Sequence, residues 1–313
     1  MMLILFISVL GLAYANGAND NFKGVATLWS SNILTYKKAL TLATVATFAG
    51  AIVAYFFANA LLKNFSGKGL VPPEVVTSTS FVLSVAIGAA LTILLATYLG
   101  FPISTTHALV GGLTGAGLYS CGSQLKWAVL GKTFFLPLVL SPIIAVVISI
   151  VLYKIIHQQK IKNTKTLNAL HIFSAGTVCF SHGLNDTPKI VSLILLCNYF
   201  TYTNNYFLII AIVMAIGGII NAKNVARTMS YKITNLQPVQ GLVANSITSV
   251  LAITASAMGL PVSFTHISVS AIYGVGVVTH TANNKEISKI LLSWVLTLPT
   301  AFIISYCTNV LMR

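Results

Sequence analysis

Long apolar runs dominate this chain. They extend from Met2 to Tyr14, Ala39 to Leu62, Val75 to Leu99, Trp127 to Ile156, Leu170 to Phe180, Ile190 to Phe200, Phe207 to Ile220, Val243 to Leu260 and Ile287 to Leu311. A membrane-spanning helix needs roughly 20 predominantly apolar residues, and several runs reach that length. Strands of a membrane barrel are much shorter, so the runs predict helices and an all-α polytopic membrane protein. Only 7% of the residues are charged, against about 25% in soluble domains. Too little polar surface remains to coat a water-soluble globule.

Charge is lopsided, with 18 Lys+Arg against 4 Asp+Glu, a formal +14. The basic residues form no stripe interleaved with aromatics, so nucleic acid is not an expected partner. They gather in short links between apolar runs, the pattern of cytoplasmic loops beside anionic lipid. The longest polar link, His157 to Asn168, is rich in lysine, follows Lys154 and contains no acid. It divides the chain into a first unit (1–156), a basic linker (157–168) and a second unit (169–313). The expected location is the cell (inner) membrane, multi-pass, with this linker cytoplasmic. Cys121, Cys179, Cys197 and Cys307 show no Cys-x-x-Cys spacing, and packing is their expected role. Met1 to Ala15 has no basic segment before it and no cleavage site after it, and reads as a retained first helix.

The two units resemble one another. Asn16-Gly17-Ala18-Asn19-Asp20 recurs as His182-Gly183-Leu184-Asn185-Asp186, 166 residues later, and Lys23 and Lys189 keep that offset. Gly100-Phe101-Pro102-Ile103-Ser104-Thr105-Thr106-His107 recurs as Gly259-Leu260-Pro261-Val262-Ser263-Phe264-Thr265-His266, 159 residues later. Corresponding interruptions in two halves point to a transporter binding site built from broken helices. An odd number of crossings per half, five on a coarse count, would invert one repeat relative to the other and place the N-terminus outside.

The chemistry sits in these phrases. Four acids exist, and Glu74 and Glu286 fall in polar links, as expected of solvated surface. Asp20 and Asp186 instead adjoin apolar sequence at equivalent positions. A carboxylate at membrane depth costs several kcal/mol unless paired or wetted. Two symmetric ones point to an ion pathway, although either Asp could cap a helix broken after Gly17 or Gly183. Lys23 and Lys189 follow three residues later, on the same helical face. They offer a cation to an anionic substrate, or neutralise the aspartates, or snorkel to the interface. Ser104, Thr105, Thr106, Ser263 and Thr265 can wrap an oxyanion with hydroxyls and helix-start N–H groups, or simply cap. His107, His182 and His266 are supporting candidates, as donors, proton relays or braces. No transition-metal spacing and no nucleophile–base set is evident, so no enzymatic activity and no cofactor is expected.

These motifs resemble the paired signatures of the inorganic phosphate transporter (PiT) family, in a divergent bacterial or archaeal-type form. Asn16 to Asp20 and His182 to Asp186 are similar to its first signature pair, Phe101 to His107 and Leu260 to His266 to its second. Arg227 to Leu236 resembles a basic family segment. The resemblance spans nearly the whole chain. It implies two inverted-topology repeats with broken or re-entrant helices at a central site. It also implies secondary transport of inorganic phosphate, coupled to sodium or protons. By position, Asn19, Asp20, Asn185 and Asp186 would form the substrate and coupling-ion centre. Ser104, Thr105, Thr106, Ser263 and Thr265 would contact phosphate, and on the reading of the residues Lys23 and Lys189 would offset its charge. Lys23 stands where the family usually has Asn, and Thr47 and Asn245 stand near positions of family glutamates. Lost carboxylates and a gained cation predict weaker sodium dependence, with the Lys23 ammonium taking part of a coupling cation's role. A sulfate permease of the same fold is the nearest alternative, followed by a passive anion channel or an intramembrane enzyme. Homodimerisation is open to such a chain, and no residue here identifies its face.

Overall fold

The computed structural model describes residues 2–57, 59–67, 69–158, 163–196 and 204–312. Cys197, the end of the Ile190–Phe200 run and residues 159–162 of the linker lie outside the described residues. Ten principal helices carry the described fold: α1 (Met2–Asp20), α2 (Tyr36–Phe57), α3 (Thr79–Leu99), α4 (Thr105–Cys121), α5 (Leu136–Gln158), α6 (Thr164–Leu196), α7 (Asn204–Asn221), α8 (Pro238–Ala257), α9 (Phe264–Val278) and α10 (Asn284–Leu311). Five precede the linker and five follow it. One isolated β bridge joins Thr234 to Ala282.

Among the described residues six helices are long and apolar enough to cross a membrane, or seven if the pair 205–221 and 223–232, bent by 65°, counts as one. The multi-pass reading therefore holds. The coarse count of five crossings per half is modified by α4 and α9, of 17 and 15 residues. At about 1.5 Å per residue they fall short of a hydrocarbon core about 30 Å thick. Each follows an irregular segment, Phe101–Ser104 or Leu260–Ser263, and folds back on the helix before it, α4 on α3 and α9 on α8. Pro102 and Pro261 lie in these breaks, where a residue without N–H costs the ladder nothing. Ser104 and Ser263 restart the helices as N-caps, accepting from the N–H of His107 and His266 at 3.1 Å.

The first-signature breaks fall elsewhere than expected. α1 runs through Gly17 and yields only after Asp20, to a 3₁₀ turn at Lys23–Val25 and a short helix, Ala26–Ser30. α6 is continuous through Gly183, Asp186 and Pro188. Neither aspartate caps a helix. Gly17 and Gly183 are contact points instead: an added Cβ would lie 1.9 Å from the Met214 carbonyl oxygen and 2.1 Å from that of Thr47. The missing side chains let α1 cross α7, and α6 cross α2, backbone to backbone.

The halves exchange partners. α1 packs on α3 and α7, α6 on α8 and α2, α4 on α10, and α9 on α5. Lys126 N–H donates to Leu70 O at 3.0 Å, and the Asn309 amide donates to Ala116 O at 3.1 Å. These contacts gather one end of the molecule. Asn283 N–H donates to Ile233 O at 2.9 Å, and Trp29 packs edge-on against Tyr36 and Tyr231. These gather the other. Between the ends, Leu136, Val139, Leu140, Ile143, Val147, Val151 and Ile155 of α5 remain exposed, as do Leu292, Val295 and Ile303 of α10. A water-soluble protein would not leave such a belt open, and lipid is its solvent.

Candidate functional site

The end of α1, the middle of α6 and the two helix restarts converge on one buried polar cluster. Asp20 and Asp186 are 1% and 2% exposed, and Lys23 and Lys189 are 1% and 0% exposed. Each lysine pairs with the aspartate three residues before it: Lys189 Nζ lies 2.8 Å from Asp186 Oδ1, and Lys23 Nζ pairs with Asp20 Oδ1. Lys189 meets Asp186 along one face of α6, whereas Lys23 reaches Asp20 from the 3₁₀ turn after α1 and points inward instead of snorkelling.

The two lysines have matching surroundings. Lys23 Nζ also donates to Asn19 Oδ1 at 2.8 Å, Ile103 O at 3.0 Å and Thr265 Oγ1 at 2.7 Å. Lys189 Nζ also donates to Asn185 Oδ1, Val262 O at 3.1 Å and Thr106 Oγ1 at 2.9 Å. Each ammonium thus takes amide, carboxylate and carbonyl oxygens from its own half and a hydroxyl from the other. Those hydroxyls donate in turn across the breaks, Thr106 to Val262 O at 3.0 Å and Thr265 to Ile103 O at 2.7 Å. Proline breaks supply these carbonyls, because helical carbonyls would already be bonded.

Between the aspartates stand Asn16 and His182, equivalent in the repeat. The Asn16 amide donates to Asp20 Oδ2 at 3.1 Å, to Asp186 Oδ2 at 2.9 Å and to Thr105 Oγ1 at 2.9 Å. His182 Nε2 lies 3.1 Å from Asn16 Oδ1 and 3.6 Å from Asp186 Oδ2. Thr105 Oγ1 donates to Asp20 Oδ2 at 3.2 Å. Asp20, His182 and Asp186 bring one ligand atom each within 4.8 Å of one another. Sequence spacing could not show that grouping, because its members come from two halves. The flanking ammonium groups already neutralise the two carboxylates.

Asn19 is saturated: its amide donates to Thr97 Oγ1 and Phe101 O, and its Oδ1 accepts from Lys23 and from Ile103 N–H. It ties the first break to α1. Asn185 has a counterpart bond to Ser256 Oγ at 2.8 Å. Thr47 holds the second ring nitrogen of His182 at 3.5 Å, whereas Asn245 joins a separate group, donating to Thr27 Oγ1 at 2.9 Å.

His107 and His266 do not enter the cluster. Their ring centres lie 4.6 Å apart with the planes tilted by 39°, Trp294 stacks on His266 at 3.8 Å, and both histidines line an apolar cavity of about 580 Å³ against α5 and α10. Glu286 departs from the solvated role expected of it: at 8% exposure it is held by Lys289 at 3.0 Å. Glu74 is exposed. Cys179 is buried, Cys121 intermediate and Cys307 exposed, and all three are free thiols. Asn16, Thr97 and the carbonyls of Ile103 and Val262 were missing from the candidate set. Asn16 was legible from its place in the repeat. The carbonyls carry no side-chain signal.

A family model described as the phosphate transporter family matches residues 16–305. A "Probable low-affinity inorganic phosphate transporter" of Rhizobium meliloti (strain 1021) is 30% identical, covering 93% of this chain and 90% of the relative. A protein of the same description from Bacillus subtilis (strain 168) is also 30% identical, covering 96% and 93%. A solved structure titled "The sodium-dependent phosphate transporter" superposes with a TM-score of 0.89 at 24% identity, covering 99% of this chain and 98% of that one. The last likeness speaks for the fold.

Proposed function

The chain belongs to the phosphate transporter family, a family of carriers rather than enzymes, and from that premise we propose that it moves inorganic phosphate across the cell membrane by alternating access. The observation that carries the reading is the pair of buried Asp–Lys centres joined by Asn16 and His182 at the meeting of two helix breaks. Phosphate would bind among Asn19, Asp20, Lys23, Ser104, Thr105, Thr106, Asn185, Asp186, Lys189, Ser263 and Thr265. The N-cap hydroxyls of Ser104 and Ser263 accept from backbone and keep their own protons for an oxyanion.

Two carboxylates and two ammonium groups leave the cluster formally neutral. Adding an anion to a neutral buried cluster is costly, so a compensating cation, sodium or a proton, is expected to travel with it; with an ammonium already on each carboxylate, the proton is favoured. Site side chains are nearly inaccessible here, so entry requires the α3–α4 and α8–α9 breaks to part. Their mutual Thr-to-carbonyl bonds suit a closed form of such a cycle.

The same reading makes residues 1–156 and 169–313 inverted repeats about the 157–168 linker. Supporting it, the first half's hairpin opens at the end marked by Leu70 and Lys126, and the second's at the end marked by Ile233 and Asn283. Radiolabelled phosphate uptake into proteoliposomes, with sodium and pH varied independently, tests the function. Uptake should saturate and resist sulfate: a carboxylate accepts a hydrogen bond from the O–H of monobasic phosphate, and sulfate has no O–H to donate at neutral pH. Non-saturating flux, or equal competition by sulfate, would overturn carrier or cargo respectively.

A further inference from the structure

We propose that Lys23 and Lys189 are built-in cations: their ammonium groups fill two equivalent four-oxygen cages, so the carrier takes no sodium there. The transport arm of the test below rests on the phosphate reading, and the melting arm does not.

The cages carry the argument. Each consists only of oxygens, and of four kinds: an amide oxygen (Asn19 or Asn185), a carboxylate oxygen (Asp20 or Asp186), a backbone carbonyl from a helix break (Ile103 or Val262) and a hydroxyl (Thr265 or Thr106). An all-oxygen shell of this mixture suits a hard cation, and unwound carbonyls beside broken helices are where carriers seat sodium. An ammonium has three N–H donors, yet each cage presents four acceptors. That surplus fits a spherical ion better than a directional donor.

Occupancy points the same way. A lysine tether reaches each cage from one turn further along the chain and brings the one positive charge its carboxylate needs. With both tethers in place each carboxylate already carries its own counter-charge. The arrangement occurs twice although the local backbone differs: Lys23 sits in a 3₁₀ turn and Lys189 inside a continuous helix. Two backbones delivering the same ammonium to the same four ligand types argue for the cage, and against an incidental ion pair.

The test vacates a cage. Wild type, Lys23→Ala, Lys23→Met and Lys189→Ala are purified and melted in detergent in sodium chloride and in choline chloride. Phosphate uptake is measured in both media after reconstitution. A ligand that binds neither conformer differentially shifts nothing, so wild-type melting and uptake should agree between the media to within about twofold in rate. Alanine leaves the cage open with its carboxylate unpaired, and sodium should raise its melting temperature by about 5 °C over choline. Uptake by Lys23→Ala should recover in sodium only. Methionine fills the space without charge, so Lys23→Met should respond to neither salt. Sodium-dependent uptake or melting of the wild type would overturn the proposal. So would folded alanine variants indifferent to sodium. Should Lys23→Ala fail to fold in choline, its recovery in sodium is the expected result and equal failure in both is contrary to it; Lys189→Ala repeats the test at the second cage. A wild type that moves no phosphate in any medium would refute the functional reading alone, and melting would still decide the cages.

Discussion

Asp186 accepts from Lys189 and from Asn16, with His182 beside it, in a space that water does not reach. Asparagine at this position keeps the shape and removes the charge. The ammonium then stays buried without an anion, a loss of about 3–5 kcal/mol when one partner of a buried pair is removed. Asp186→Asn, and likewise Asp20→Asn, should abolish phosphate uptake and lower the melting temperature by several degrees. Full transport by both variants would remove these residues from the centre. Asn16 makes a separate case. It is uncharged, so Asn16→Ala breaks no ion pair, yet it unties the two carboxylates from each other and from Thr105. Uptake should fall at least tenfold while folding survives, since a lost hydrogen bond to a charged group costs about 1.5–3 kcal/mol. An unchanged rate would make Asn16 a spectator.

Among the elements, glycine separates packing from flexibility. Gly183 meets the backbone of α2 so closely that an added methyl falls 2.1 Å from a carbonyl oxygen. Gly183→Ala must push α6 off α2, carrying Asp186 and Lys189 with it, at a cost of about 1–3 kcal/mol for overpacking. Gly11, also helical, has nothing within 4 Å of the same added atom. Gly11→Ala should be neutral or stabilising by up to about 1 kcal/mol. Melting of the two variants side by side checks the contrast, and equal effects would refute the contact. The pair also shows where reading the chain alone stopped. The repeat offsets of 166 and 159 exposed the symmetry and most of the site, because polar residues in apolar surroundings stand out. Helix breaks were misplaced at Gly17 and Gly183 because a glycine in sequence looks the same whether it ends a helix or lets another approach. Pro188 sits inside α6 without ending it. Backbone carbonyls and the cross-half grouping of Asp20, His182 and Asp186 needed three dimensions.

For the whole molecule, the arrangement of ends turns inversion into a measurable statement. Thr77 belongs to the end where Lys126 N–H meets Leu70 O. From there the apolar stretch Trp127–Ile156, of 30 residues, leads to the linker, long enough to cross the bilayer with some tilt. Thr77 and Asn163, both exposed, should therefore lie on opposite faces of the membrane. Charge then chooses between the faces. Lys37, Lys38, Lys154, Lys165, Lys232, Lys285 and Lys289, with Glu286 among them, belong to the linker's end or the segments packed there, whereas Lys63 and Lys126 stand with Glu74 at the other. The positive-inside tendency predicts that the linker's end faces the cytoplasm. In a cysteine-free background an impermeant maleimide should label Asn163→Cys only after the cytoplasmic face is opened, and Thr77→Cys in intact cells. Asn284→Cys, at the mouth of the second hairpin, should follow Asn163→Cys, because inversion puts the two hairpins on opposite sides. If Asn284→Cys labels with Thr77→Cys instead, the halves are parallel, and the two lysine cages would no longer be related by an axis lying in the membrane plane.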